Sequence, residues 1–226
     1  MLTSLFKDFS NIIVFDVETT GTDSRKDEII EIALLRVVSE HGAPVIADEY
    51  NALIELSPGT KLLPIITEIT GITGQQLKDE GLGKGEVCKN VVEILSCNNL
   101  LLAAYNAQFD LGFLFHFLNG FDKAGLLKNT KMLDALTVYK DRRPYPHKLG
   151  DAAVAYSLSS NGAHRAFDDT MVTYKLLCEM GKENDDLYRY VNLFGYNPKY
   201  GVSGAKISSV RYLPQGYDRV KNLYEF

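Results

Sequence analysis

The sequence predicts an α/β protein in which helices flank a mixed β-sheet, and two features of the chain carry that prediction. Extended runs at 11–18, 28–39 and 45–56, the last two joined by turn residues at 40–43, indicate a three-strand antiparallel meander. Short apolar runs and helical patterns then alternate, which is typical of parallel strands joined by helices. With 226 residues, nearly half of them apolar, the chain is long enough for one substantial core.

The elements after the meander follow from local spacing. Apolar residues recur at helical spacing in 86–95 and 107–118, and 100–105 is a short apolar strand between them. The other predicted elements are helical pieces at 62–70 and 73–77, a strand end and a helix within 131–140, a loop at 142–146, a small-residue helix at 149–158 and a long helix at 166–180. Gly181 is predicted to end that long helix. No clear periodicity follows position 197.

The charge distribution limits how this chain can meet nucleic acid. A formal net charge of -5 argues against binding through a broad basic surface. Residues 196–226, however, hold five basic and two acidic side chains, so the tail is the part better suited to a phosphate backbone. No apolar run approaches the roughly 18–20 residues that a membrane span needs, and the first residues lack a signal-peptide layout. We therefore expect a cytoplasmic protein without membrane contact.

Two acids end the first extended run. Side chains alternate along a strand, so Asp16 and Glu18 project from the same face. Two carboxylates at close range repel each other unless a cation or a proton neutralises them. Mg²⁺ prefers oxygen ligands of this kind. The pair therefore indicates a divalent-cation site, and the alternative is a pair of acids at a solvated sheet edge.

A third acid opens the helix predicted at 107–118. Asp110 shares one helix face with Phe113, Leu114 and Phe117, so it should point toward the interior near the strand ends. Asn106, just before this helix, is predicted to cap it. A buried acid needs a partner. The alternative is an acid that stabilises the positive end of its own helix dipole.

The last long helix begins with a fourth acid and a histidine. Most faces of this helix are apolar, so the side chain of Asp169 is predicted to be buried. His164 is expected in the loop that follows 159–162, where it can swing toward the carboxylates. A catalytic base is one interpretation of His164. The other is a loop residue that solvates or caps the start of the helix.

The three segments together resemble a known family of nucleases. FDVETTG at 15–21, YNAQFD at 105–110 and HRAFDD at 164–169 resemble the three motifs of the DEDDh 3′-to-5′ exonucleases, which include the proofreading subunit of bacterial replicative polymerases, ribonuclease T and oligoribonuclease. The resemblance implies a ribonuclease H-like fold. It also implies that Asp16, Glu18, Asp110 and Asp169 hold two divalent cations, Mg²⁺ or Mn²⁺, and that His164 is the general base.

The same resemblance implies a reaction and a substrate. The enzyme would hydrolyse the 3′-terminal phosphodiester of single-stranded DNA to nucleoside 5′-monophosphates, as the epsilon proofreading subunit of DNA polymerase III does, and a polymerase subunit is a candidate partner. Thr19, Thr20 and Gly21 follow the acids closely enough for their backbone to meet the 3′-OH, and Asn106 could orient the terminal nucleotide. Thr70 departs from the family pattern, because many members have histidine there.

Several alternatives stay open at the level of sequence. One is an exonuclease for RNA or short oligonucleotides, another is a non-catalytic module that docks a polymerase or helicase, and a third is a two-metal hydrolase of small molecules. Residues 1–182 are predicted to form the DEDDh exonuclease domain. Residues 183–226 are predicted to be a C-terminal extension packed on the core.

Overall fold

A computed structural model describes residues 2–159, 164–217 and 222–226. The strands are β1 (Asn11–Thr19), β2 (Ile29–Glu40), β3 (Ala43–Leu53), β4 (Leu100–Ala104), β5 (Lys131–Asp134), β6 (Leu193–Tyr196) and β7 (Arg211–Pro214). The α-helices are α1 (Pro64–Thr70), α2 (Gly74–Asp79), α3 (Lys84–Leu95), α4 (Ala107–Asn119), α5 (Ala135–Arg142), α6 (Leu149–Ala155) and α7 (Ala166–Glu183). No helix among these residues is long and apolar enough to cross a membrane.

The main sheet has five strands in the order β3-β2-β1-β4-β5. Strands β1, β2 and β3 pair antiparallel, whereas β4 is parallel to β1 and β5 is parallel to β4. This mixed sheet with flanking helices confirms the predicted ribonuclease H-like fold class. The carboxyl ends of β1, β4 and β5 meet at one edge of the sheet, which is where ligands bind in open α/β sheets.

Strand β1 is central because both of its faces are covered. Ile13, Phe15 and Val17 belong to the core cluster under α3 and α4. Ile12 and Val14 belong to the cluster under α5, α6 and α7. A strand buried on both faces reads as a near-continuous apolar run, as the sequence of β1 does. By the same alternation Asp16 and Glu18 lie on the α7 face.

Helix α7 is longer than predicted. Gly181 is buried inside the helix, which ends at Glu183 with Asn184 as its C-cap, so the predicted end at Gly181 is wrong. The guanidinium of Arg142 supplies the physical reason. It donates to the carbonyl of Met180 and, at 3.1 Å, to that of Asn184, so the carbonyls at the end of the longer helix are satisfied.

The C-terminal segment contains regular structure that the sequence did not indicate. Strands β6 and β7 pair in parallel as a separate two-stranded sheet. Phe194 and Val210 join the core cluster under α3 and α4, and the Gln215 side chain donates to the Thr137 carbonyl at 2.9 Å. Near the end of the chain, the Leu223 amide donates to Asp141 at 2.8 Å. The division into 1–182 and 183–226 stays a prediction.

Candidate active site

Three acids from distant parts of the chain meet at the carboxyl edge of the sheet. Asp16 and Glu18 come from the end of β1, and Asp169 comes from the first turn of α7. One carboxylate oxygen from each lies within 4.8 Å of the others. The pairing between β1 and β2 shifts register at Glu18 and Thr19, so the strand is irregular at the point where it presents the acids. The structure thus brings these three predicted site residues together.

Asp110 approaches the same region from the other face of the sheet. It lies in the first turn of α4, is only 3% exposed, and accepts a hydrogen bond from the Val17 amide at 3.2 Å. Asp110 therefore contacts β1 at the residue between Asp16 and Glu18, although it stands outside the group of three carboxylates. Burial raises the pKa of Asp16, and repulsion between the carboxyls of Asp110 and Asp16 raises it further.

Burial and mutual repulsion raise the pKa values of the clustered acids. Burial, followed by repulsion from neighbouring carboxylates, raises the pKa of Asp16 well above its usual value. Burial raises the pKa of Glu18 to about 8, with a smaller contribution from Asp169, and raises the pKa of Asp169 to about 6. The charged forms need a cation or protons to be stable there. Three carboxylates around one point, with Asp110 against the same strand, fit hard divalent cations, which take oxygen ligands.

His164 lies beside this cluster and faces solvent. Its Nδ1 atom is 3.8 Å from a carboxylate oxygen of Asp169, and its side chain is 67% exposed. The imidazole is therefore near the acids and accessible to a water molecule or a substrate. The loop predicted before His164, at 159–162, lies mostly outside the described residues.

Sequence reasoning missed a buried ion pair that holds the start of α7. Glu31 on β2 lies opposite Glu18 and is fully buried. It accepts hydrogen bonds from Arg165 Nε at 3.0 Å and Nη2 at 2.7 Å, and from the Ala166 amide at 3.1 Å. Arg165 follows His164 and occupies the N-cap position of α7. A signal was available, because an acid within the apolar run of β2 requires a buried partner.

Replacement of Glu31 with glutamine should destabilise the fold by about 3 kcal/mol, the lower end of the range for a broken buried ion pair, because Arg165 keeps access to solvent. Chemical denaturation gives the free energy of unfolding. Glu49→Gln, which removes an exposed acid from β3, is the matched control and should be nearly neutral. Equal stability of Glu31→Gln and wild type would show that the pair contributes nothing.

The turn after the acids is held by its own side chains. Thr19 Oγ1 donates to the Gly21 carbonyl at 2.6 Å, and Thr20 Oγ1 accepts from the Glu28 amide at 2.9 Å. A Cβ on Gly21 would lie 2.5 Å from the Asp27 carboxylate, so a larger residue there would have to displace that side chain. Both threonine hydroxyls thus help to hold the turn in place.

Asn106 does not cap α4, so that prediction is wrong. Its backbone is left-handed, with φ 65° and ψ 46°, whereas an N-cap residue needs an extended conformation. Asp134 takes over, because its Oδ1 atom accepts from the Ala107 amide at 3.1 Å. The exposed Asn106 side chain makes no capping hydrogen bond and remains available to a ligand.

The side chain of Thr70 points inward, at a position where many members of the DEDDh family have histidine. It is 4% exposed, and its Oγ1 donates to the Ile66 carbonyl at 2.9 Å and accepts from the Ile72 amide at 3.1 Å. The hydroxyl is therefore committed to the end of α1.

Comparison with protein families assigns this fold and its acidic cluster to the nucleases. Residues 13–177 match the family model RNase_T, described as exonuclease, so the chain belongs to this family of exonucleases. Together with the three motifs and the fold, the match places it among the DEDDh 3′-to-5′ exonucleases.

Curated relatives include bacterial DNA polymerase III enzymes of the PolC type. The chain is 35% identical to the enzyme of Bacillus cereus over 174 residues, which is 76% of this chain and 11% of that protein. It is 32% identical to the enzyme of Clostridium perfringens over 229 aligned positions, covering 94% of this chain and 14% of that protein. The chain thus spans only a small part of the length of these relatives.

Solved structures show the same fold. Escherichia coli exonuclease I in complex with a dT13 oligonucleotide matches with a TM-score of 0.71 and 18% identity, over 80% of this chain and 43% of that chain. Exonuclease I from Methylocaldum szegediense matches with a TM-score of 0.67 and 23% identity, over 80% of this chain and 42% of that chain. At these identities the likeness concerns the fold alone.

Proposed function

We propose that the protein removes nucleoside 5′-monophosphates from the 3′ end of single-stranded DNA in a reaction that requires divalent cations. The observation that carries this proposal is the cluster of Asp16, Glu18 and Asp169, with Asp110 against the same strand. Membership of the exonuclease family supports the reaction class. The complex of exonuclease I with dT13 and the PolC-type relatives favour DNA over RNA.

The four acids are proposed to hold two cations, Mg²⁺ or Mn²⁺. Their carboxylate oxygens are suitable ligands, and because burial raises the pKa values of Asp16, Glu18 and Asp169, a bound cation would stabilise their charged forms. When bound, the cations activate the attacking water and neutralise charge on the departing oxygen. The protein contributes the fixed positions of the ligands, since two acids are in the central strand and two are in first turns of helices.

His164 is proposed to take the proton of the attacking water. Imidazole can accept a proton near neutral pH, and the exposed position of His164 lets it reach a water at the scissile bond. The pair formed by Glu31 and Arg165 fixes the chain immediately after His164. His164 is thereby held close to the acids from one side, while its ring stays accessible.

The terminal nucleotide is proposed to be positioned by backbone and amide groups. The backbone of Thr19, Thr20 and Gly21 lies directly after the acids and would meet the 3′-OH. The Asn106 side chain, exposed at the carboxyl end of β4, would orient the terminal nucleotide. By analogy with the PolC-type relatives, the proposed role is proofreading beside a replicative DNA polymerase in the cytoplasm.

The direct test uses DNA and RNA oligomers of the same sequence, labelled at the 5′ end and incubated with Mg²⁺, with Mn²⁺ or with EDTA. We expect a ladder of DNA products that shortens from the 3′ end, one nucleotide at a time, only with a cation. Products that are independent of the cation, or faster cleavage of the RNA, would contradict the proposal as stated.

Cation binding should stabilise the folded protein. A ligand at 100 times its dissociation constant stabilises the native state by about 2.7 kcal/mol, so Mg²⁺ or Mn²⁺ should raise the melting temperature in a thermal-shift assay. Asp16→Asn removes one repelling carboxylate, and we expect it to melt no lower than wild type without cation and to gain much less from Mg²⁺. An equal gain in both proteins would place the cation elsewhere.

A further inference from the structure

A groove runs along α4 on the side where the C-terminal segment crosses it. Its walls are the loop 22–25, the helix α4 and the segment 203–209, and its volume is about 1010 Å³. That volume lies at the upper end of the ~300–1,000 Å³ typical of small-ligand pockets. Residues 203–209 lie beyond 13–177, the part of the chain that matches the exonuclease family model. One wall of the groove thus lies outside the part of the chain that matches the family model.

The wall is fastened to α4 two residues before Asp110. The Gln108 side chain donates to the Ala205 carbonyl at 2.6 Å and accepts from the Tyr212 hydroxyl at 2.6 Å. The same hydroxyl accepts from the Ile207 amide at 2.9 Å. These contacts hold the segment at a fixed distance from the helix, so the groove is built into the fold.

The loop that follows the catalytic turn forms the near end of the groove. A Cβ on Gly112 of α4 would lie 3.3 Å from Ser24 Oγ, so the loop lies close against the helix. This loop begins directly after Gly21. Gln108, on the other side of the groove, is two residues before Asp110. Two walls of the groove are therefore adjacent in sequence to residues of the acidic site.

The lining combines aromatic rings with basic groups. Phe115 is 44% exposed, and the partly buried Phe109 forms a ring pair with the buried Phe113, with centroids 4.9 Å apart. The charged and titratable side chains in the lining are Arg25, Lys128, Lys206, His116 and the acid Asp23, which pairs with Lys26 at 3.2 Å. Aromatic surfaces with positive charge are what single-stranded nucleic acid requires.

We infer that this groove binds the nucleotides upstream of the 3′ end while the terminal nucleotide occupies the acidic site. Lys128 and Lys206 contact the phosphate backbone, and exposed ring surface such as that of Phe115 stacks against bases. The inference rests on the proposed function, because the occupant is the rest of the same substrate strand.

The test compares a long and a minimal substrate. Lys206→Ala should lower kcat/KM for a thymidine dodecamer and leave hydrolysis of the p-nitrophenyl ester of thymidine 5′-monophosphate unchanged. The slope of log(kcat/KM) against log salt concentration should also be shallower in this variant by about 0.7, the contribution of one phosphate contact on a single strand. Lys182→Ala, at an exposed lysine of α7 paired with Glu179, is the matched control and should change neither substrate.

The outcomes separate the two proposals. If Lys206→Ala matches Lys182→Ala on the dodecamer, in rate and in salt dependence, the groove does not bind the strand, although hydrolysis of the ester would still support the proposed function. If wild type hydrolyses neither substrate with Mg²⁺ or Mn²⁺, the proposed function fails and the inference fails with it. A loss on both substrates in Lys206→Ala would also overturn the inference, since the effect would then reach the acidic site.

Discussion

Asp16→Asn is expected to slow nucleotide release from a single-stranded 3′ end by at least about 10³-fold, because cation chemistry contributes several kcal/mol and each ~1.36 kcal/mol is a factor of ten in rate. Burial raises the pKa of Asp16, and four neighbouring carboxylates raise it further, those of Asp110, Glu18, Asp169 and Glu31. Loss of its charge weakens every cation position in the cluster. Single-turnover assays on a labelled oligomer in Mg²⁺ measure the effect.

Asp168→Asn is the matched control for this substitution. Asp168 is the neighbour of Asp169 in the first turn of α7, but it does not belong to the group of carboxylates that meet. We expect the control to keep most of the wild-type rate and both variants to keep a cooperative thermal transition. Equal losses in Asp16→Asn and Asp168→Asn would mean that activity depends on the overall negative charge of this region and not on specific cation ligands.

His164→Gln is expected to lower kcat by about 10²–10⁴-fold, the usual contribution of a positioned general base. Glutamine keeps a polar side chain of similar reach but cannot take a proton. His164 lies 3.8 Å from Asp169 but is not one of the proposed cation ligands. Mg²⁺ should therefore raise the melting temperature of this variant as much as that of wild type. Steady-state kinetics and thermal shift measure the two effects separately.

His41→Asn serves as the control for the histidine. His41 is exposed in the turn between β2 and β3 and has a left-handed backbone, which asparagine tolerates. We expect its rate to equal that of wild type. A wild-type rate in His164→Gln would remove the base assignment, and a loss of the Mg²⁺ effect in that variant would instead make His164 a ligand.

The part of the site that sequence predicts best depends on short-range periodicity. Strand alternation places Asp16 and Glu18 on one face, and the apolar stripe of α4 directs Asp110 inward, where it is 3% exposed. The antiparallel meander and the parallel strands follow from turn residues and from alternation with helices. These features require no knowledge of which distant residues meet.

The parts that sequence missed depend on contacts between distant residues or on one unusual backbone conformation. Glu31 and Arg165 pair across 134 positions, and their meeting requires both the register of β2 and the docking of α7. Asn106 adopts a left-handed conformation that its residue type permits but does not require. The strands β6 and β7 have four residues each, too few to show a period.

Crystals grown with Mn²⁺ and thymidine 5′-monophosphate would test the central claim most directly, through the anomalous signal of the metal. We expect two anomalous peaks among the carboxylates of Asp16, Glu18, Asp110 and Asp169, with the nucleotide phosphate against them and His164 facing the phosphate. Anomalous peaks only at other acids, or a nucleotide bound away from this cluster, would contradict it.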